Sequence, residues 1–250
     1  MHAFLQSLIG HQTALFIGNF TITWYGISFA ATFLFGWWWI SKQLGSEDFI
    51  DQLVFILILS GLIGARLGFA IASFADGHSL TATELFHLRD GGMSWHGGLL
   101  SAILTGVIFC RMKNMPISRV ADATTVPLLV GIVLGRLANF VNGELPGKIT
   151  SSALGFMFPS FSSPRHPEQL YEALWGIMVL VFVLWLHHHR FKRSGDIFLL
   201  ALMLVSIGRF MIEFVRDSRQ IGYLSLAQYV SLLIICLTIG VYYKYRPTEQ

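Results

Sequence analysis

Four polar residues close an apolar run within nine positions: Arg136, Asn139, Asn142 and Glu144, in the stretch GRLANFVNGELPG at 135–147. A guanidinium binds phosphate or carboxylate through two parallel hydrogen bonds and keeps its charge at any physiological pH. Two amides and a carboxylate beside it suit the hydroxyls of a glycerol-like head group. Gly143 and Gly147 allow a ligand or a neighbouring backbone to come close. A second cation, Arg209, stands four positions before Glu213, on one face of a helix. His96, in GGMSWHGG, can take a proton near neutral pH. Two arginines with these companions point to an anionic ligand carrying a phosphate or carboxylate.

The elements that must position these groups are membrane helices. Of 250 residues 54% are hydrophobic and 12% charged, against about 25% charged in ordinary soluble domains. The net charge of +3 does not argue for nucleic acid. Seven segments reach the ~20 apolar residues of a bilayer span, near 20–40, 49–74, 93–111, 120–141, 170–189, 196–216 and 224–244. The fold expected is all-α, a polytopic integral membrane protein forming a single transmembrane domain over 1–250. The connection at about 142–169 is rich in Gly, Pro and Ser and too long for a plain turn, which marks it as a functional loop or head region. The first residues, MHAFLQSLIGHQTALF, lack the basic start of a cleaved signal peptide, so the first helices are expected to stay. Cys110 and Cys236 both fall in apolar segments and give no disulfide or metal pattern.

Basic residues orient the spans. Lys42, Arg111, Lys113, Arg119, Arg190, Lys192, Arg193, Lys244 and Arg246 lie on one side; Arg89, Lys148, Arg165, Arg216 and Arg219 lie on the other. This predicts an outside N-terminus and a cytoplasmic C-terminus. Trp37, Trp38, Trp39, Tyr242, Tyr243 and Tyr245 then mark the inner interface. In that orientation Tyr25, Arg66, His96, Arg136, Asn139, His166, Gln169, Tyr171, Glu172, Arg209 and Glu213 gather toward the outer leaflet.

Each feature has a plainer alternative. Arg209 and Glu213 can simply neutralise each other. Arg136 can snorkel to the interface. Tight helix packing explains the glycines around His96, and Arg66 can pair with a lipid phosphate or brace the bundle. The triplet at 187–189 reads as interfacial histidines rather than a metal tract, and Asp122 as a helix-end charge. No GxSxG, HExxH or Walker pattern is present, which leaves serine hydrolase, zinc protease and ATPase chemistry without support. A lipid transporter would spread polar residues through the bilayer and repeat broken helices. The clustering here is one-sided. A non-catalytic scaffold would tolerate loss of Arg136. The residues themselves lead to a membrane enzyme or binder acting on an anionic lipid at the outer leaflet.

The same stretches resemble a known family. WYGI at 24–27, GAR at 64–66, GGMSWHGGL at 91–99, GRLANFVNGELPG at 135–147, RHPEQLYEA at 165–173 and GRFMIEFVR at 208–216 match, in order, motifs of the bacterial phosphatidylglycerol–prolipoprotein diacylglyceryl transferases. The resemblance implies a multi-pass enzyme of the bacterial inner membrane with its site toward the extracytoplasmic face. It would transfer diacylglyceryl from phosphatidylglycerol to the lipobox cysteine of a prolipoprotein signal peptide, releasing glycerol 1-phosphate. It implies no metal and no organic cofactor, and no nucleic-acid partner. Carried over by motif, Arg136 binds the lipid head group, with Asn139, Asn142, Glu144 and Gly147 shaping that site. Arg209 and Glu213 form a second essential cluster. Tyr25, and His96 with Gly97 and Gly98, match further positions of the site, and His96 is the candidate base. Two positions depart from the family pattern: Val205 stands where many members carry Tyr, and Ala138 where many carry Gly.

Overall fold

The computed structural model describes residues 1–18, 20–77, 92–188 and 194–244. Among the described residues, a short helix α1 (His2–Leu8) and an antiparallel hairpin of β1 (Thr13–Ile17) and β2 (Phe20–Thr23) precede seven long helices. These are α2 (Trp24–Leu44), α3 (Glu47–Ala75), α4 (Trp95–Met112), α5 (Ile117–Asn142), α6 (Glu168–His188), α7 (Asp196–Ile212) and α8 (Leu226–Lys244). A 3₁₀ turn, Glu213–Val215, continues α7, and a two-residue hairpin, β3 (Gln220–Ile221) with β4 (Leu224–Ser225), leads into α8.

Six of these helices, α3 to α8, are long and apolar enough to cross a membrane. Their outward residues include Leu59, Ile71, Leu100, Val181 and Leu233, all exposed, as expected of helices solvated by lipid chains. The chain is a multi-pass membrane protein. Helix α2 has 21 residues but is diluted by Trp24, Tyr25, Trp37, Trp38 and Trp39, interfacial residue types that lower its hydropathy. The first expected span, from residue 20, begins later than its sequence pattern suggested, because 20–23 pair as β2.

The described residues form two compact units: 1–36 together with 121–250, and 37–120. In the second unit, α3 and α4 make a hairpin. Ser94 caps α4 by accepting from Gly97 N at 3.2 Å. Glu47 and Asp48 sit in the first turn of α3, where negative charge favours the helix dipole. The two helices meet through small residues. A Cβ built on Gly64 would lie 2.6 Å from the Gly97 carbonyl oxygen, and one on Gly68 would lie 2.9 Å from Gly97 Cα. Close backbone approach of this kind is how helices gain contact where lipid removes the hydrophobic driving force.

In the first unit, Gly131 opens space for Thr32, and Gly208 for the Trp175 ring, whose Nε1 donates to Leu204 O at 2.8 Å. Asp122 is a helix-end charge for a different helix. Its carboxylate accepts from Gly195 N at 2.5 Å and Phe198 N at 2.9 Å, capping the start of α7, where Gly195 has no side chain to do so. Phe140 of α5 packs with Phe156 and Phe158 of the following loop, and Leu5, Ile9 and Leu170 close over them. Gln6 holds that loop by donating to Met157 O at 2.7 Å and accepting from Met157 N at 3.0 Å.

Candidate active site

Arg136, Asn139 and Asn142 recur every third residue of α5 and so share one face. The helix then stops in a Schellman turn: Gly143 N bonds Phe140 O and Glu144 N bonds Asn139 O, both at 3.0 Å, with Gly143 at φ 75°. That turn folds Glu144 back onto the face it follows. Its carboxylate accepts from Tyr25 Oη at 2.7 Å, Asn139 Nδ2 at 3.3 Å and Asn142 Nδ2 at 3.3 Å. Asn139 Nδ2 also donates to Tyr25 Oη. Leu145 follows at φ 54°, a left-handed conformation that costs a side-chain-bearing residue about 1–2 kcal/mol. Gly147 lies against the end of α7: a Cβ there would meet the Val215 carbonyl oxygen at 2.5 Å and His166 Cβ at 3.0 Å. Gly147 N donates to His166 O at 2.9 Å, and Arg165 Nη1 donates to Gly147 O at 2.9 Å.

A second set of groups meets this one. Arg136 Nε pairs with Glu172 of α6, and Arg209 Nη1 of α7 pairs with the other oxygen of the same carboxylate. Arg209 Nη2 also reaches Glu213 at 2.8 Å, and Arg216 reaches Glu168 at 2.9 Å and Glu172 at 4.0 Å. Arg136 Nη1 donates to Asn139 Oδ1 at 3.4 Å, and Gln169 Nε2 donates to the Glu144 carbonyl, so both sets form one network. Glu213 is fixed from behind by Ser225 Oγ at 2.8 Å. Ser225 N in turn donates to Gln228 Oε1 at 2.9 Å.

The burial is uneven. Side chains of Glu172 and Glu213 are 8% and 2% exposed, whereas those of Arg136 and Arg209 are 27% and 26% exposed. The carboxylates therefore stand behind the guanidiniums, and the arginines keep open edges for a ligand. Arg209 and Glu213 do pair along the helix, yet Arg209 spans to a second carboxylate, which mutual neutralisation alone would not need.

Tyr25, Arg136, Asn139, Asn142, Glu144, Gly147, Arg209 and Glu213 thus fall in one unit and one contiguous network. His96, Gly97, Gly98 and Arg66 belong to the other unit. There His96 is exposed, with its ring edge-on to Trp95 at 5.3 Å. Gly97 and Gly98 face α3, where their lack of a side chain admits Gly64, Gly68 and Ala65. Arg66 is buried and donates to Gly92 O at 2.7 Å.

Sequence reasoning named Gln169 and Glu172 among the polar residues gathered toward one leaflet without assigning them a task, and it counted Arg216 only among the basic residues that orient the spans. Their signal was RHPEQLYEA, whose Glu168 and Glu172 are one helical turn apart. Among the described residues no cluster of three or more His, Cys, Asp or Glu is arranged to hold a metal. Of the histidine triplet, His189 lies outside the described residues, as do Arg89, Arg190, Lys192, Arg193, Tyr245 and Arg246 of the topology reading. Cys110 and Cys236 are both free thiols.

A sequence profile of the family described as prolipoprotein diacylglyceryl transferase matches residues 12–244. The chain belongs to the prolipoprotein diacylglyceryl transferase family. Curated relatives named phosphatidylglycerol–prolipoprotein diacylglyceryl transferase agree. That of Rickettsia canadensis is 35% identical, over 88% of this chain and 91% of the relative. That of Geobacter sulfurreducens is 34% identical, over 90% and 92%, and that of Wolbachia pipientis is 33% identical, over 90% and 91%. The family match includes every residue of the network from Tyr25 to Gln228. In this member of the diacylglyceryl transferase family, Ala138 is buried in α5 and Val205 is half-buried, one turn before Arg209 in α7.

Proposed function

We infer that the chain transfers the diacylglyceryl group of phosphatidylglycerol to the lipobox cysteine thiol of a prolipoprotein, with release of glycerol 1-phosphate. The observation that carries this is the Arg136–Glu172–Arg209 arrangement, with open guanidinium edges beside the Tyr25–Asn139–Glu144 set, in a chain of this family. The arginines bind the phosphodiester. The Tyr25, Asn139, Asn142 and Glu144 groups offer donors and acceptors for the glycerol hydroxyls.

The incoming thiol, ordinarily near pKa 8.5, reacts as thiolate. Its sulfur attacks the glyceryl CH2 that bears the phosphate. A C–S bond forms, the C–O bond breaks, and its electron pair stays on the phosphate oxygen. Negative charge grows on that phosphate, and Arg136 and Arg209 are held ready to meet it. The thiol proton must pass to a base, and the family motif alone nominates His96 for that part. The enzyme needs no cysteine of its own. We further propose that 1–250 acts as one transmembrane domain in the bacterial inner membrane, N-terminus outside, with 142–169 as an extracytoplasmic head. Two things support that placement: the bias of basic residues to one side, and the gathering of the network at the helix ends away from most of those basic residues.

The test uses purified protein in detergent, phosphatidylglycerol and a lipobox peptide, with peptide mass and released glycerol phosphate as readouts. A diacylglyceryl mass gain on the cysteine, lost in folded Arg136→Ala, supports the reading. No gain with any anionic phospholipid, from folded protein, sinks it.

A further inference from the structure

Glu172 takes both arginines of the site, and that sharing has a consequence for which phosphates the site accepts. Arg136, Arg209 and Arg216 are each paired with a carboxylate, and Glu172 is within 4.0 Å of all three. Glu213 and Glu168 add two further carboxyl groups, and Glu144 a fourth through Asn139. By formal count the network holds four carboxylates against three guanidiniums. The charge of the arginines is therefore already answered before any ligand arrives, although their outer edges remain open.

We propose that Glu172 is a positioning residue that makes the site select a monoanionic phosphodiester against a dianionic phosphomonoester. This rests on the transfer reaction proposed above. A phosphodiester brings one negative charge and gains hydrogen bonds from the open guanidinium edges. A phosphomonoester brings a second charge; the guanidiniums of the network each face a carboxylate already, so that charge adds repulsion from Glu172 beyond what their open edges offset. The reaction itself converts the first kind of anion into the second. Breaking the C–O bond leaves glycerol 1-phosphate, whose second pKa is about 6, so that it is mainly dianionic at neutral pH. Glu172 thus favours product departure. The same charge would exclude a lipid whose head group is a bare phosphate.

The test compares wild type, Glu172→Gln and Glu172→Asp. One arm measures inhibition of transfer by glycerol 1-phosphate and by phosphatidate in mixed micelles with phosphatidylglycerol. A second arm measures direct binding of glycerol 1-phosphate by titration calorimetry, which needs no turnover. Expected is about tenfold tighter binding and inhibition by both monoesters in Glu172→Gln, with kcat lowered and KM for phosphatidylglycerol little changed. Glu172→Asp should keep wild-type inhibition. Unchanged or weaker monoester binding in Glu172→Gln overturns the inference, as does an equal change in both variants, which would mean lost geometry rather than lost charge. If Glu172→Gln does not fold, Glu213→Gln removes the other carboxylate paired with Arg209, and the absence of any tightening there overturns the inference. Wild type that fails to transfer, while Glu172→Gln still binds glycerol phosphate more tightly, sinks the proposed reaction and leaves the charge selection standing.

Discussion

Small residues pack helices in both units of this protein, but only one unit adds a network of ion pairs among the described residues. In residues 37–120, α3 and α4 meet through Gly64, Gly68, Gly97 and Gly98, with Ser101 and Ala65 between them. In residues 1–36 with 121–250, the ends of α2, α5, α6 and α7 meet through Tyr25, Arg136, Asn139, Glu172 and Arg209. Lipid offers no hydrophobic gain for helix association, so both solutions are open: backbone contact through small residues, or polar contact between helices. Small residues suffice for holding. Ionisable groups at membrane depth are costly to keep and mark a place where charge is used. The difference teaches where chemistry can reside before any substrate is seen.

Breaking the polar side should cost activity more than fold. Arg136→Ala or Arg209→Ala should lower transfer by about 10²–10³-fold, because each removes a preorganised donor to the developing phosphate charge; single-turnover rates on protein with a wild-type elution profile would check this. Breaking the small-residue side should do the reverse. Gly97→Leu drives a side chain into the α3 backbone and should destabilise by about 3 kcal/mol or more, read as a lower midpoint in thermal unfolding. Should Arg136→Ala unfold while Gly97→Leu merely loses activity, the contrast drawn here is inverted and wrong.

Smaller changes sharpen the contrast. Tyr25→Phe removes the hydroxyl between Glu144 and Asn139 and should reduce transfer about tenfold, as the loss of one hydrogen bond to a charged group predicts. Gly208→Ala pushes on the Trp175 ring and should cost about 1–3 kcal/mol of stability; a midpoint equal to wild type would show that the ring has room to move. Asp122→Asn weakens the cap of α7 and should cost about 1 kcal/mol, with transfer per folded molecule unchanged.

Much of the fold was legible because helices in lipid announce themselves by length and apolarity. Segments expected at 49–74 and 93–111 are α3 (Glu47–Ala75) and α4 (Trp95–Met112). That expected at 120–141 is α5 (Ile117–Asn142), extended at its start by ISR, which carries no apolar pattern. The span expected at 196–216 is Asp196–Val215, of which α7 covers all but the last turn, a 3₁₀ turn; hydropathy does not register that change of hydrogen-bond spacing. The hairpin at 13–23 was not expected, because its strands are short and one of them reads as the start of a span.

The sequence by itself determined that this is a multi-pass membrane protein and which side chains are too costly to be idle: Arg136, Asn139, Glu144, Arg209 and Glu213 stood out wherever the chain might fold. The turn that aims Glu144 is encoded locally too, in Gly143 following the helix end, although in the sequence Gly143 read only as room for a close approach. Only the tertiary structure decided that Glu172 joins Arg136 to Arg209, that Asp122 caps a helix more than seventy residues away, and that Gly97 and Gly98 serve as a helix contact. Pairing between distant helices depends on rotation about each helix axis and on crossing geometry. Those are set by packing against every neighbour at once, and no local pattern encodes them.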